Sequence, residues 1–179
     1  MFYLFLADGF EETEALAPLD MMRRAKLEVK TVGVTGEFVT GSHNVTVKAD
    51  IMPEQISLDN IDGVILPGGM PGTINLGKSK IVTDTTLYCF ENGKITAAIC
   101  AAPSVLGRLG ILKCKKATCF PGFENELEGA VYTGAAVEVD GTVITGKGAG
   151  CAISFGKAVI KLAASDEAAD KVCGDMQCP

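Results

Sequence analysis

The chain has 179 residues, 47% of them hydrophobic and 21% charged, and a net charge of −6. That is the balance of one folded domain with a large buried core, so residues 1–179 are read as a single unit. The acidic charge argues against a nucleic-acid surface, and no apolar run reaches the ~20 residues that span a bilayer.

Residues 2–7 form an apolar run of the kind found in strands buried on both faces. Asp8-Gly9-Phe10 then turns the chain into a helix predicted over residues 11–25, with Glu11, Glu12 and Glu14 in its first turn, where the helix dipole favours acids. Solvated capping accounts for Glu11 and Glu12. Glu14 shares a face with Pro18 and Met21, and Pro18 has no N–H for the Glu14 carbonyl, so a kink is expected there. Residues 28–34 read as a second strand and residues 45–49 as an exposed edge or hairpin strand. Residues 63–66 are another buried strand, ending in Pro67-Gly68-Gly69, where the glycines let backbone N–H groups approach a ligand.

Gly72-Thr-Ile-Asn-Leu-Gly77-Lys78-Ser79 satisfies the phosphate-loop pattern GxxxxGKS letter for letter. A phosphate loop needs its first glycine at the end of a strand, however, and here Gly68 to Pro71 intervene. The partner strand ending in a metal-binding Asp is also missing, because 136–140 carries a charge and runs into a hairpin turn. Nucleotide binding stands only as an alternative.

Residues 81–91 read as a helix stopped at Asn92-Gly93, and 95–99 as a short buried strand. Pro103 suits the first turn of the helix that follows. Cys100 therefore falls where a strand ends and a helix begins, at the carboxyl edge of a sheet. A thiol there is expected to ionise more readily than a free one, and the thiolate is the nucleophile. The plain alternative is a small buried hydrophobe. Further on, residues 116–120 suggest a short strand, 122–128 a polar turn, and 136–139 with 142–145 a hairpin about Asp140-Gly141. Gly146-Lys-Gly-Ala-Gly150 opens a helix over 151–164. Cys151 is the rival nucleophile, although nothing acidic in sequence suggests a partner for it. Residues 166–179 form a short acidic helix and a tail with Cys173 and Cys178 expected to be exposed. Strands alternating with helices imply a mainly parallel sheet between two helix layers.

The amino terminus lacks the features of a secretory signal, so a cytoplasmic location is expected and the seven cysteines read as reduced thiols. With one histidine in the chain and no CxxC spacing, a structural metal is not expected, and no cofactor is expected either.

Three motifs together, Gly9-Phe-Glu-Glu-Thr-Glu14, Leu66-Pro-Gly-Gly69 and Ala98-Ile-Cys100-Ala-Ala-Pro103, make the chain resemble the ThiJ/PfpI family of the glutamine-amidotransferase-like group. The resemblance runs to about residue 165 and is nearest to the bacterial branch historically labelled as thiamine biosynthesis proteins. It implies a flavodoxin-like α/β/α sandwich. It also implies Cys100 as nucleophile, Glu14 as its hydrogen-bonding carboxyl, and the Gly69 and Ala101 amides as an oxyanion hole, with Gly68 beside them. Family members are commonly homodimers in which an arginine of the partner approaches the pocket, and the corresponding positions here are Arg24 and His43. For His43 an exposed loop side chain is the plain alternative.

Two departures matter. Protease-like members carry a histidine directly after the cysteine, where this chain has Ala101. The parkinsonism-associated branch carries one in the segment matching Thr118-Cys-Phe120-Pro121, where this chain has Phe120. Without a neighbouring histidine, peptide hydrolysis is not expected. The implied partner is a small reactive carbonyl such as methylglyoxal or its adducts, handled by glyoxalase or deglycase chemistry. The alternative is an oxidative-stress sensor or chaperone in which Cys100 is oxidised rather than catalytic.

Overall fold

The computed structural model describes residues 1–178. Five parallel strands form its centre: β1 (Phe2–Leu6), β2 (Val29–Gly33), β5 (Gly63–Leu66), β6 (Ile95–Ile99) and β10 (Val143–Gly146). Antiparallel β9 (Val137–Asp140) closes one edge, giving the order β2-β1-β5-β6-β10-β9. This is the flavodoxin-like order with one added edge strand. Every residue of β1, β5 and β6 is buried, which is why these strands read as unbroken apolar runs.

Side chains alternate across the sheet and divide the core in two. On one face Leu4, Leu6, Ile65, Ile99 and Ile144 pack with Met21 and Met22 of α1 (Glu12–Arg24) and with Phe155 and Val159 of α5 (Ala152–Ala163). The C-terminal helix α6 (Asp166–Asp175) adds Ala169 and Val172 to that face. On the other face Tyr3, Phe5, Val64, Leu66 and Ala98 meet α2 (Gly72–Lys78), α3 (Lys80–Glu91) and α4 (Pro103–Arg108) through Leu76, Val82, Cys89, Val105 and Leu106. Helix α1 is continuous through Pro18, and α5 approaches it closely. A Cβ on Gly156 would lie 3.1 Å from the Pro18 Cα.

Several sequence expectations change here. The GxxxxGKS stretch is not a loop. Gly72 to Lys78 are helix α2, whose first N–H groups are already taken by the Gly9 and Gly69 carbonyls, so no phosphate cradle forms. The 45–49 strand shortens to β4 (Thr46–Lys48), which pairs with β3 (Phe38–Thr40) in a hairpin outside the main sheet. The 116–120 strand shortens to β7 (Lys116–Ala117), paired in parallel with β8 (Val131–Tyr132). Among the described residues no helix is long and apolar enough to cross a membrane.

Candidate active site

Strand order reverses between β1 and β5, and the loops that follow β1, β5 and β6 converge at that switch point. Cys100 is the first residue beyond β6. Its φ is +65°, a left-handed conformation that costs a non-glycine residue about 1–3 kcal/mol. The strain is held from both sides: the Cys100 N–H donates to the Gly146 carbonyl at 2.8 Å, and its own carbonyl accepts from the Phe120 N–H at 2.8 Å. This elbow turns the thiol off the strand and towards α1.

Glu14 meets it there. The first turn of α1 is capped by Glu11, whose carboxylate accepts from the Glu14 N–H at 2.7 Å. The Glu14 side chain, 1% exposed, points inward, accepts from the Gly68 N–H at 3.0 Å and hydrogen-bonds Cys100. Gly68 owes its identity to this approach. A Cβ there would fall 2.6 Å from Glu14 Oε2 and 2.7 Å from the Cys100 Cβ. Gly69, at φ +91°, aims its amide at the sulfur, and the Ala101 amide joins it.

Burial pushes the Glu14 carboxyl up to about 7, helped by the charge of Glu11 and opposed by the hydrogen bonds of Cys100, Gly68 and Ala149. Burial likewise pushes the Cys100 thiol up to about 12, with the Glu14 charge and hydrogen bond adding to it and the Ala101 and Gly69 amides opposing it. This corrects the expectation of a readily ionised thiol. Helix α4 begins only at Pro103 and has six residues, so its dipole is a minor influence beside burial and a touching carboxylate. The two groups act as one acid–base unit. The pair sheds its first proton near neutrality, from Glu14, and the second stays on sulfur until the carboxylate takes it as the sulfur attacks.

Glu12 is not the solvated cap its position suggested. It is 9% exposed, and Oε1 accepts from the His43 N–H at 2.7 Å while Oε2 lies 2.9 Å from His43 Nδ1 and 3.4 Å from the Ser42 hydroxyl. Burial opposes its charge, but the His43 ring and the amides of Glu12, His43 and Val45 together hold it down at about 2. Ligand atoms of Glu11, Glu12 and His43 lie within 4.8 Å of one another, the one three-residue grouping among the described residues that could take a metal ion. In this chain those contacts tie the 41–45 loop to α1.

The structure thus brings Cys100, Glu14, Gly68, Gly69 and Ala101 together, while Arg24 and His43, implied as contributions across a dimer, lie apart from the thiol of their own chain. Arg24 sits ten residues along α1 from Glu14, roughly 15 Å away at the helix rise, and pairs with Asp20 at 2.7 Å. His43 turns to Glu12 rather than to the thiol, with its side chain 73% exposed. Phe120 lies next to Cys100 through backbone contact. Its ring packs over Gly148, at the wall of a cavity of about 480 Å³ shared with Lys147, Ala149 and Cys151. Cys151, the rival nucleophile, donates its S–H to the Gly148 carbonyl at 3.0 Å and serves as a cap. The Ala149 amide on Glu14 and the Gly146 carbonyl beneath Cys100 escaped sequence reasoning, although the glycine-rich 146–150 run marked where they lie.

The DJ-1/PfpI family description matches residues 2–162. The chain is 34% identical to Protein dj-1beta of Drosophila melanogaster, over 94% of this chain and 92% of that one. It is 31% identical to a deglycase of Thermococcus kodakarensis, over 87% of this chain and 95% of the relative. Among solved structures, oxidized Toxoplasma gondii DJ-1 superimposes with a TM-score of 0.94 at 31% identity, covering 98% of this chain and 97% of that one. With that match from the first strand to the last turn of α5, and with the sheet order seen here, the chain belongs to the DJ-1/PfpI family.

Proposed function

We propose that this protein is a cofactor-independent, cysteine-dependent enzyme of reactive carbonyls, acting on methylglyoxal or on its adducts in the manner of a glyoxalase or deglycase. The observation that carries this reading is the buried pair of Glu14 and Cys100, with a carboxyl titrating at about 7 against a strained nucleophile. Relatives named as deglycases at about 30% identity support it.

The chemistry follows from the geometry. The Cys100 thiolate adds to the aldehyde carbon, and the Gly69 and Ala101 amides receive the oxyanion that develops. Glu14 gives its proton to that oxyanion, completing the hemithioacetal. As a carboxylate it then removes the proton from the same carbon and delivers it to the neighbouring one, while the hydroxyl proton crosses to the neighbouring oxygen, and the hemithioacetal becomes a thioester of lactate. Water then releases lactate and returns the proton to the pair. A carboxyl titrating near 7 suits both halves of that transfer. No imidazole approaches the thiol, since the one histidine is bound to Glu12, so protonation of a leaving amine falls to Glu14 alone and peptide hydrolysis is disfavoured.

A second reading has its own observation. A carboxyl that keeps its proton near neutrality can donate to an oxidised sulfur, so the same site would stabilise a Cys100 sulfinate in an oxidant sensor or chaperone. Incubation of wild type and Cys100→Ser with methylglyoxal, followed by proton NMR for lactate, separates the two. We expect lactate from wild type alone. Absence of lactate above the buffer control, together with a stable sulfinate after peroxide, would replace the enzyme reading with the sensor. A cytoplasmic homodimer is the assembly we propose, with the partner's α1 end near the braced 41–45 loop, and sedimentation at micromolar concentration tests it.

A further inference from the structure

The end of α6 places two cysteines against each other. Gln177 takes a left-handed conformation at φ +55°, and the helix closes with two reversed hydrogen bonds, Cys178 N–H to the Cys173 carbonyl at 2.9 Å and Gln177 N–H to the Gly174 carbonyl at 3.1 Å. In a helix end of this type the residue that gives the outer bond rests its side chain on the residue that receives it. Here those residues are Cys178 and Cys173. Both are half-buried, not exposed as their tail position suggested, and the Cys178 sulfur is near enough to Cys173 to act on it by charge and hydrogen bond. Lys157 of α5, held to Asp170 at 2.7 Å, also lies close to Cys173.

We infer that Cys173 and Cys178 form a dithiol modification site, separate from Cys100, that hydroperoxides convert to an intrahelix-end disulfide. The hydrogen bond from the Cys178 N–H to the Cys173 carbonyl folds the chain end back over Cys173, the close approach of the two residues that a disulfide needs. In the first step one thiol attacks the peroxide, its sulfur gaining the oxygen as a sulfenic acid while water or an alcohol leaves. In the second step the other thiol attacks that sulfur, the S–S bond forms, and the hydroxyl leaves with the proton as water. The peroxide is reduced, two thiols are oxidised, and nothing else is consumed. This site stands whether Cys100 turns over or senses.

Mass spectrometry of the tryptic peptide that begins at Val172, which carries both thiols, tests the inference. After one equivalent of hydrogen peroxide it should become lighter by two hydrogens and regain them with dithiothreitol. Labelling of both thiols by iodoacetamide should fall by at least about tenfold, while exposed Cys114 stays labelled. Cys173→Ser and Cys178→Ser should each abolish the change, and Cys100→Ser should leave it intact. Two free thiols after treatment, a bond between chains instead of within one, or dependence on Cys100 would each overturn it.

Discussion

Glu14→Gln is expected to lower turnover of methylglyoxal by at least about a hundredfold and, above neutral pH, to make the protein more stable. The amide keeps the shape of the carboxyl, can accept from Gly68 and can donate to the sulfur, but it cannot carry a proton between carbons. The stability change follows from the raised carboxyl. Below pH 4.5 both the folded and the unfolded chain hold the Glu14 proton and nothing differs. Between 4.5 and about 7 the unfolded chain ionises first, so stability falls as pH rises, and the loss levels off near 3 kcal/mol once the folded carboxyl has ionised, at about 1.36 kcal/mol per pH unit. The glutamine variant escapes that loss, less about 1 kcal/mol if the Ala149 amide is left without an acceptor. Thermal unfolding at pH 8 should show the variant melting roughly 5 °C higher, and at pH 4 no higher than wild type. A variant equally destabilised at both pH values would mean that Glu14 is a structural carboxylate and not a protonatable one.

Gly68→Ala is expected to be a severely damaging single-methyl change, made directly against the reacting pair. The added carbon would meet Glu14 Oε2 at 2.6 Å, the Cys100 Cβ at 2.7 Å and the Ile99 carbonyl at 2.9 Å, and none of these can withdraw without disturbing the pair. Overpacking of this kind costs about 1–3 kcal/mol, and a displacement approaching 1 Å between reacting groups costs about a hundredfold in rate. Gly174→Ala supplies the contrast, because a Cβ there meets nothing within 4 Å. Urea unfolding and lactate production measured on both should show a large loss in the first and almost none in the second.

The strands that carry the site were legible because parallel strands covered by helices on both faces must be apolar throughout. Phe2–Leu6, Gly63–Leu66 and Ile95–Ile99 therefore announce themselves, and the residues just after them mark the carboxyl edge. Cys100, Glu14 and Gly68 could be placed there from sequence and family likeness. What sequence concealed depends on contacts between distant segments. Helix α2 was hidden by its glycines, which mimic a phosphate loop until the chain is seen to coil. The role of Glu12 depends on His43 and Val45, some thirty residues away, and a carboxylate at the start of a helix reads as a cap unless that loop is known to return. Thiol acidity was misjudged for a similar reason. The strand-to-helix position is local, but burial and the adjacent Glu14 carboxylate are tertiary and act in the opposite direction.

The claim that Cys100 and Glu14 share one ionisation is tested most directly by the pH dependence of iodoacetamide labelling at Cys100, followed peptide by peptide from pH 5 to 10 in wild type and Glu14→Gln. The rate in wild type should climb through a midpoint near 7, where the pair loses its first proton, then hold level. The midpoint should vanish in the variant. A wild-type rate that rises only towards the range of a free thiol, at about 8.5, or the same profile in both proteins, would contradict it.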